Sequence, residues 1–116
     1  DLSALRGRLV ATEWPIIRRE PARDLLGTDP VGVPGLAVRE MRSSPAGDGT
    51  VLVEQAVDAS TVIQLYQRRA DAAQARLAYG TTERLARFVG DLRVEIAGPL
   101  PEDSLNRLLE QLKPLP

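Results

Sequence analysis

The stretch Leu85-Ala86-Arg87-Phe88-Val89-Gly90-Asp91-Leu92-Arg93-Val94-Glu95-Ile96 limits most tightly what this chain can fold into. Apolar and polar residues alternate through Leu92–Ile96, and a period of two marks a half-buried strand. Gly-X between two such runs is a two-residue hairpin turn, because glycine tolerates the positive φ that the turn demands. Pairing across it sets Val89 opposite Leu92 and Leu85 opposite Ile96. Leu92, Val94 and Ile96 then share a buried face while Arg93 and Glu95 meet water. A slip of one residue would reverse that assignment, so the register is strongly specified. A sheet with one apolar face needs a second layer against it.

The last third of the chain offers that layer. Gly98-Pro99-Leu100-Pro101 breaks the strand, and Pro101, Glu102 and Asp103 open a helix with acidic groups at its positive end. Leu105, Leu108, Leu109 and Leu112 follow at i, i+3, i+4 and i+7, a single apolar stripe, with Lys113 in the last turn and Pro114 as the stop. Upstream, three short strands read as an antiparallel meander: Leu36–Arg42, Val51–Val57 and Thr61–Gln67. Ser44-Pro45-Ala46-Gly47-Asp48-Gly49 and Asp58-Ala59-Ser60 turn the chain between them. Val51, Val53 and Val57 point one way, and Ile63 and Leu65 face together. Trp14-Pro15-Ile16-Ile17 reads as extended because Pro15 disfavours helix at Trp14. Pro21 suits the first position of a short helix over Ala22–Leu26 that Gly27 closes, and Asp29-Pro30, Gly32, Pro34 and Gly35 make a rigid, turn-rich link.

The predicted fold is therefore α+β: an antiparallel sheet of about five strands, meander plus hairpin, covered on one face by helices that include a C-terminal amphipathic one. Residues 1–12 carry Leu2, Leu5, Leu9 and Val10 at helical spacing and read as an N-terminal helix or a linker. Residues 13–116 form a single domain. Residues 68–83 read as a short exposed helix or an excursion. A meander of few strands leaves an edge open to strand addition, with Val51–Val57 or Leu36–Arg42 as candidates, unless the 68–83 segment covers it.

Composition excludes several functions. Fifteen basic against 16 acidic residues leave a net charge of −1, without the basic excess that usually marks nucleic acid binding. Zero Cys removes disulfides, thiolate metal sites and cysteine nucleophiles, and zero His removes the commonest general base and zinc ligand. No run approaches the roughly 20 apolar residues of a membrane span. The chain opens at Asp1 and its only Met is Met41, so it is expected to be part of something longer.

The remaining candidates have plainer readings. Glu102-Asp103 could bind a cation or serve as acid and base, but complementing the helix dipole accounts for both. Arg18-Arg19 and Arg68-Arg69 could recognise a carboxylate or phosphate; Glu20, Asp24 and Asp71 lie close enough to neutralise them. Ser60-Thr61 and Thr81-Thr82 offer hydroxyls without a base to activate them. The glycines at 27, 32, 35, 47 and 49 sit in turns rather than in a phosphate-binding loop. No catalytic, cofactor-binding or metal-binding residue is assigned, no cofactor is expected, and the chain reads as no enzyme.

Three stretches carry a resemblance. Trp14-Pro15-Ile16-Ile17, Ala22-Arg23-Asp24-Leu25-Leu26-Gly27-Thr28-Asp29-Pro30 and Val33-Pro34-Gly35-Leu36-Ala37-Val38 resemble the region beyond the membrane span in bacterial transmembrane anti-sigma factors of the zinc-finger type. Val53–Val62 is similar to their next hairpin, and Arg93–Leu105 to the strand-then-helix close of such domains. The resemblance spans roughly residues 13–65 and 84–113. It implies an extracytoplasmic sensor or interaction domain, on the periplasmic or extracellular side of the bacterial membrane, regulating transcription in response to envelope signals. Its partner would be a protein or a regulatory protease outside the membrane. The membrane would be reached through an upstream span, and the sigma factor through a cytoplasmic part, neither of which lies in this sequence. The family's zinc-binding His and Cys have no counterpart here, so no sigma-contacting residue carries over. The alternative is a free-standing envelope protein that holds a lipid or peptide between sheet and helix, in a cavity lined by Val94, Ile96, Leu105, Leu108 and Leu112. An acid- or metal-dependent enzyme would require several carboxylates converging in one cleft.

Overall fold

The computed structural model describes residues 13–70 and 85–116. The proposed helix over residues 1–12, Thr81-Thr82, and all of 68–83 beyond Ala70 lie outside them. Within the described residues the elements run α1 (Arg19–Leu26), β1 (Val31–Gly32), β2 (Ala37–Ser43), β3 (Val51–Ala56), β4 (Val62–Arg69), β5 (Ala86–Val89), β6 (Leu92–Ala97), α2 (Glu102–Leu109) and β7 (Lys113–Pro114). The fold is α+β. One antiparallel sheet has the order β2-β3-β4-β6-β5, and β1 with β7 forms a separate two-stranded antiparallel ribbon.

The hairpin takes the register that its alternation demands: Val89 pairs with Leu92, Phe88 with Arg93 and Ala86 with Glu95. Leu92, Val94 and Ile96 are buried. Leu85 lies just outside the ladder, in a turn conformation with φ +59°, and its carbonyl accepts from the Ile96 N–H at 2.9 Å. The hairpin joins the meander through β6, which pairs with β4. One row of buried and half-buried side chains crosses four strands, Met41, Val53, Leu65 and Ile96, each the direct partner of the next. Cross-strand neighbours of this kind are the unit of sheet stability.

Several expectations need correction. The first helix begins at Arg19, so Pro21 is its third residue rather than its first. That position still suits proline, because the first-turn N–H groups have no helical acceptor. Gly27 ends the helix with φ +72°, as expected of a left-handed cap. The last helix stops at Leu109, and Lys113 and Pro114 pair with Gly32 and Val31 instead of closing it. Pro114 has no N–H to donate and can still end a strand here, because among the described residues the ribbon has two strands and neither pairs with a third. Val51–Val57 is not an edge: β3 lies between β2 and β4. It ends at Ala56; Val57 packs against the core with Val51 and Val53, and Gln55 is buried on the same face between them.

The core joins Ala22 and Leu26 of α1, Val31 and Val33, Val51, Val53, Ile63, Leu65, Leu92, Val94 and Ile96 of the sheet, and Leu105, Leu109 and Leu112. α1 touches β2, β3 and β4, while α2 touches β5 and β6. The sheet also receives the carbonyl ends of both helices. Arg69 Nε donates to the Leu26 carbonyl at 3.0 Å, and an Arg87 Nη donates to the Leu109 carbonyl at 3.1 Å. A cation at a helix C-terminus satisfies an orphan carbonyl and opposes the negative end of the dipole. At Gly27 an added Cβ would fall 1.9 Å from the Arg69 guanidinium, so this cap requires glycine twice over, for φ and for space.

On the opposite face, Leu52 is buried and Trp14 meets Tyr66 edge-on, with ring centroids 5.8 Å apart at 86°. Trp14 sits at a bend, and Pro15–Ile17 lies along β2. Ile16 bridges to Arg42, the Ile17 N–H donates to the Met41 carbonyl at 2.9 Å, and the Ser43 N–H donates to the Pro15 carbonyl at 3.0 Å.

Two turns carry a titratable brace. The Thr50 N–H donates to Asp48 Oδ1 and the Ser60 N–H to Asp58 Oδ1, each at 2.9 Å. These backbone bonds hold both carboxyls below the ordinary aspartate value. A folded-state pKa below the unfolded one adds stability that is fully present above the ordinary aspartate range and is lost as pH falls through the folded value. Urea midpoints followed from about pH 7 to about pH 2 should therefore fall below about pH 4, and Asp48→Asn should fall less steeply over that range. An acid limb unchanged by the substitution would exclude this role.

Candidate functional site

Gln55 and Gln67 are both 0% exposed, on the same face of the sheet as the aliphatic core. Uncompensated, two buried amides would cost several kcal/mol, roughly 1–3 each on mutational scales. They are compensated by the backbone of the segment that crosses them. The Val31 N–H donates to Gln67 Oε1 at 2.8 Å, and Gln67 Nε2 donates back to the Val31 carbonyl at 3.0 Å. The Val33 N–H donates to Gln55 Oε1 at 2.8 Å, and Gln55 Nε2 donates to the carbonyls of Val33 and Leu36, both at 3.1 Å. Each glutamine thus does for one residue what a neighbouring strand would do, and β1 is held flat over the sheet. Between the two clamped valines, Gly32 faces the ribbon partner. An added Cβ there would lie 2.6 Å from Leu115 Cδ2 and 3.0 Å from Gln55 Oε1.

This arrangement builds a groove of about 460 Å³ between the ribbon and the start of β2. Its walls are Gly32–Leu36, Val38 and Lys113–Pro116. The volume falls within the range of small-ligand and peptide sites. Lys113 is the one ionisable side chain in this lining. The rim is apolar and open, with Val38 41% exposed. Arg19 fastens the far side by donating to the carbonyls of Leu115 and Pro116, and it lies 3.7 Å from Asp29. Beside the groove, β2 is an edge strand among the described residues, and Pro15–Ile17 engages it at Met41–Ser43. Ala37, Val38 and Arg39 are exposed, and the pairing with β3 is irregular between Val38 and Glu40.

The residues singled out in the sequence are dispersed. Arg18 is the exposed residue before α1, while Arg19 reaches the chain segment after β7. Arg68 and Arg69 are adjacent in β4 and so point to opposite faces, Arg69 to the α1 terminus. Ser60 is spent in the Asp58 turn, where its N–H and hydroxyl both bond Asp58 Oδ1. Glu102 and Asp103 occupy the first turn of α2. Val94, Ile96, Leu105 and Leu112 belong to the buried core, with Leu108 packed against it. Among the described residues no three His, Cys, Asp or Glu side chains converge to hold a metal, and no helix is long and apolar enough to cross a membrane.

The glutamine clamps escaped the sequence reading although a signal was present. Gln55 and Gln67 have the same strand parity as Val51, Val53, Ile63 and Leu65, and a polar residue on an apolar face calls for a buried partner. Nothing local identifies that partner. Compared with protein-family models, curated proteins and solved structures, the chain matches none.

Proposed function

We propose that this chain is the non-catalytic, extracytoplasmic sensor and interaction domain of a membrane-anchored anti-sigma factor, and that its groove receives an extended segment of a protein partner, such as a regulatory protease. The observation that carries this reading is the groove of about 460 Å³ with its aliphatic and proline walls, adjoining a stretch of β2 edge with exposed Ala37, Val38 and Arg39. An extended peptide laid there could use backbone groups for affinity and place alternate side chains in the groove. In this reading both helices cover one face of the sheet, the C-terminal one through its leucine stripe, and the ribbon presents the binding edge. The likeness of the Trp14–Val38 and Arg93–Leu105 stretches to the outer domains of such regulators supports the assignment.

In the parent gene, an apolar span of about 20 residues should precede Asp1, itself preceded by a segment containing His and Cys. In that full-length protein, Val38→Asp should change the output of a sigma-dependent reporter without changing the protein's abundance. A parent gene with a signal peptide and no span, or a reporter indifferent to the substitution, would overturn the proposal.

A further inference from the structure

The sheet face opposite the glutamine clamps carries a second recess, of about 160 Å³, lined by Thr50, Tyr66, Arg68, Arg93 and Glu95. Register explains how these residues meet. Arg68 of β4 is the direct antiparallel partner of Arg93 of β6, and Tyr66 is the partner of Glu95. Thr50 precedes Val51, whose partner is Gln67, which brings Thr50 abreast of Arg68. Phe88 of β5 stands on the other side of Arg93. Two guanidinium side chains therefore face each other across adjacent strands, an arrangement that is unfavourable unless something negative lies between them.

Glu95 supplies part of that charge. It pairs with Arg93, whose side chain is only 20% exposed. Of the five lining residues two are basic and one is acidic, and Arg68 makes no ion pair with any described residue. Hydroxyls of Thr50 and Tyr66 lie in the same lining; that of Tyr66 bonds Gln64 Oε1 at 3.3 Å. The half-buried Arg68, its forked donors and the adjoining hydroxyls make the chemistry of a site for a single oxyanion. The volume suits one carboxylate or phosphate group, and not a larger molecule.

We propose that this recess binds one oxyanion group, a carboxylate or a phosphate, with Arg68 as its principal ligand and Arg93 and Thr50 beside it. The site lies on the face opposite the groove and does not rest on the function proposed for the groove. The test titrates the full chain, at low ionic strength, with inorganic phosphate in one arm, acetate in a second and chloride in a third, while the arginine Nε–H resonances are followed by NMR. Arg68 and Arg93 should shift with saturation in the phosphate arm, the acetate arm or both, and the tighter arm identifies the source of the anion. Chloride should produce no saturating shift. Arg68→Gln should weaken the binding about tenfold or more while leaving the melting temperature at or above that of the parent, because it also removes the repulsion from Arg93. Shifts that rise alike with all three salts, or saturable binding that survives Arg68→Gln, would overturn the assignment.

Discussion

Gln67→Leu is expected to destabilise the domain by about 2–6 kcal/mol, although leucine is more hydrophobic than glutamine and close to it in size. The loss comes from what the substitution leaves behind. Val31 is 3% exposed, and its N–H and carbonyl both bond the Gln67 amide. Each buried backbone group deprived of its partner costs about 1–3 kcal/mol, and water has little access to replace the amide. Against a typical total stability of about 5–15 kcal/mol, this is among the largest losses a single side chain here could produce. Urea denaturation should show a lower midpoint at nearly unchanged slope, and hydrogen exchange at Val31 should rise by more than at Leu65. A midpoint within the error of the parent would mean that the glutamine does not hold the ribbon. Gln55→Leu should act in the same direction, with part of the loss relieved at the Leu36 carbonyl, which lies nearer the surface.

Leu65→Ala should cost about 2–5 kcal/mol by a different mechanism. Leu65 is 0% exposed in β4, the middle strand of the sheet, with Val53 on one side and Ile96 on the other. Truncation removes its transfer free energy and opens a cavity that two ladders of hydrogen bonds prevent from collapsing. Ile16, 63% exposed, provides the comparison: Ile16→Ala should stay within about 0.5 kcal/mol of the parent. Equal losses at the two positions would contradict the assignment of β4 to the centre of the core.

Much of the fold was legible because its signals are local. The Gly90-Asp91 turn, the alternation through Leu92, Val94 and Ile96, the turns at Ser44–Gly49 and Asp58–Ser60, and the Gly27 cap each depend on residues within a few positions of one another. The candidate site was legible only in part. Gly32, Pro34 and Gly35 read as a rigid link, yet the groove exists because Lys113 and Pro114, read as a helix end and its stop, return with Leu115 and Pro116 beside them.

The α+β class, the meander and hairpin, and the apolar faces of the strands around Val51, Ile63 and Leu92 could be read from the residues alone, since these follow from periodicity and turn chemistry. The order in which hairpin and meander join, the partners of Gln55 and Gln67, and the duties of Arg69 and Arg87 at the helix ends come from the folded chain as a whole. It alone placed Arg68 opposite Arg93. A polar side chain on a buried face announces that it needs a partner, but that partner lies 19 to 43 residues away in the clamps and caps of this domain. Propensity and period carry no information over such a distance; packing of the whole chain does.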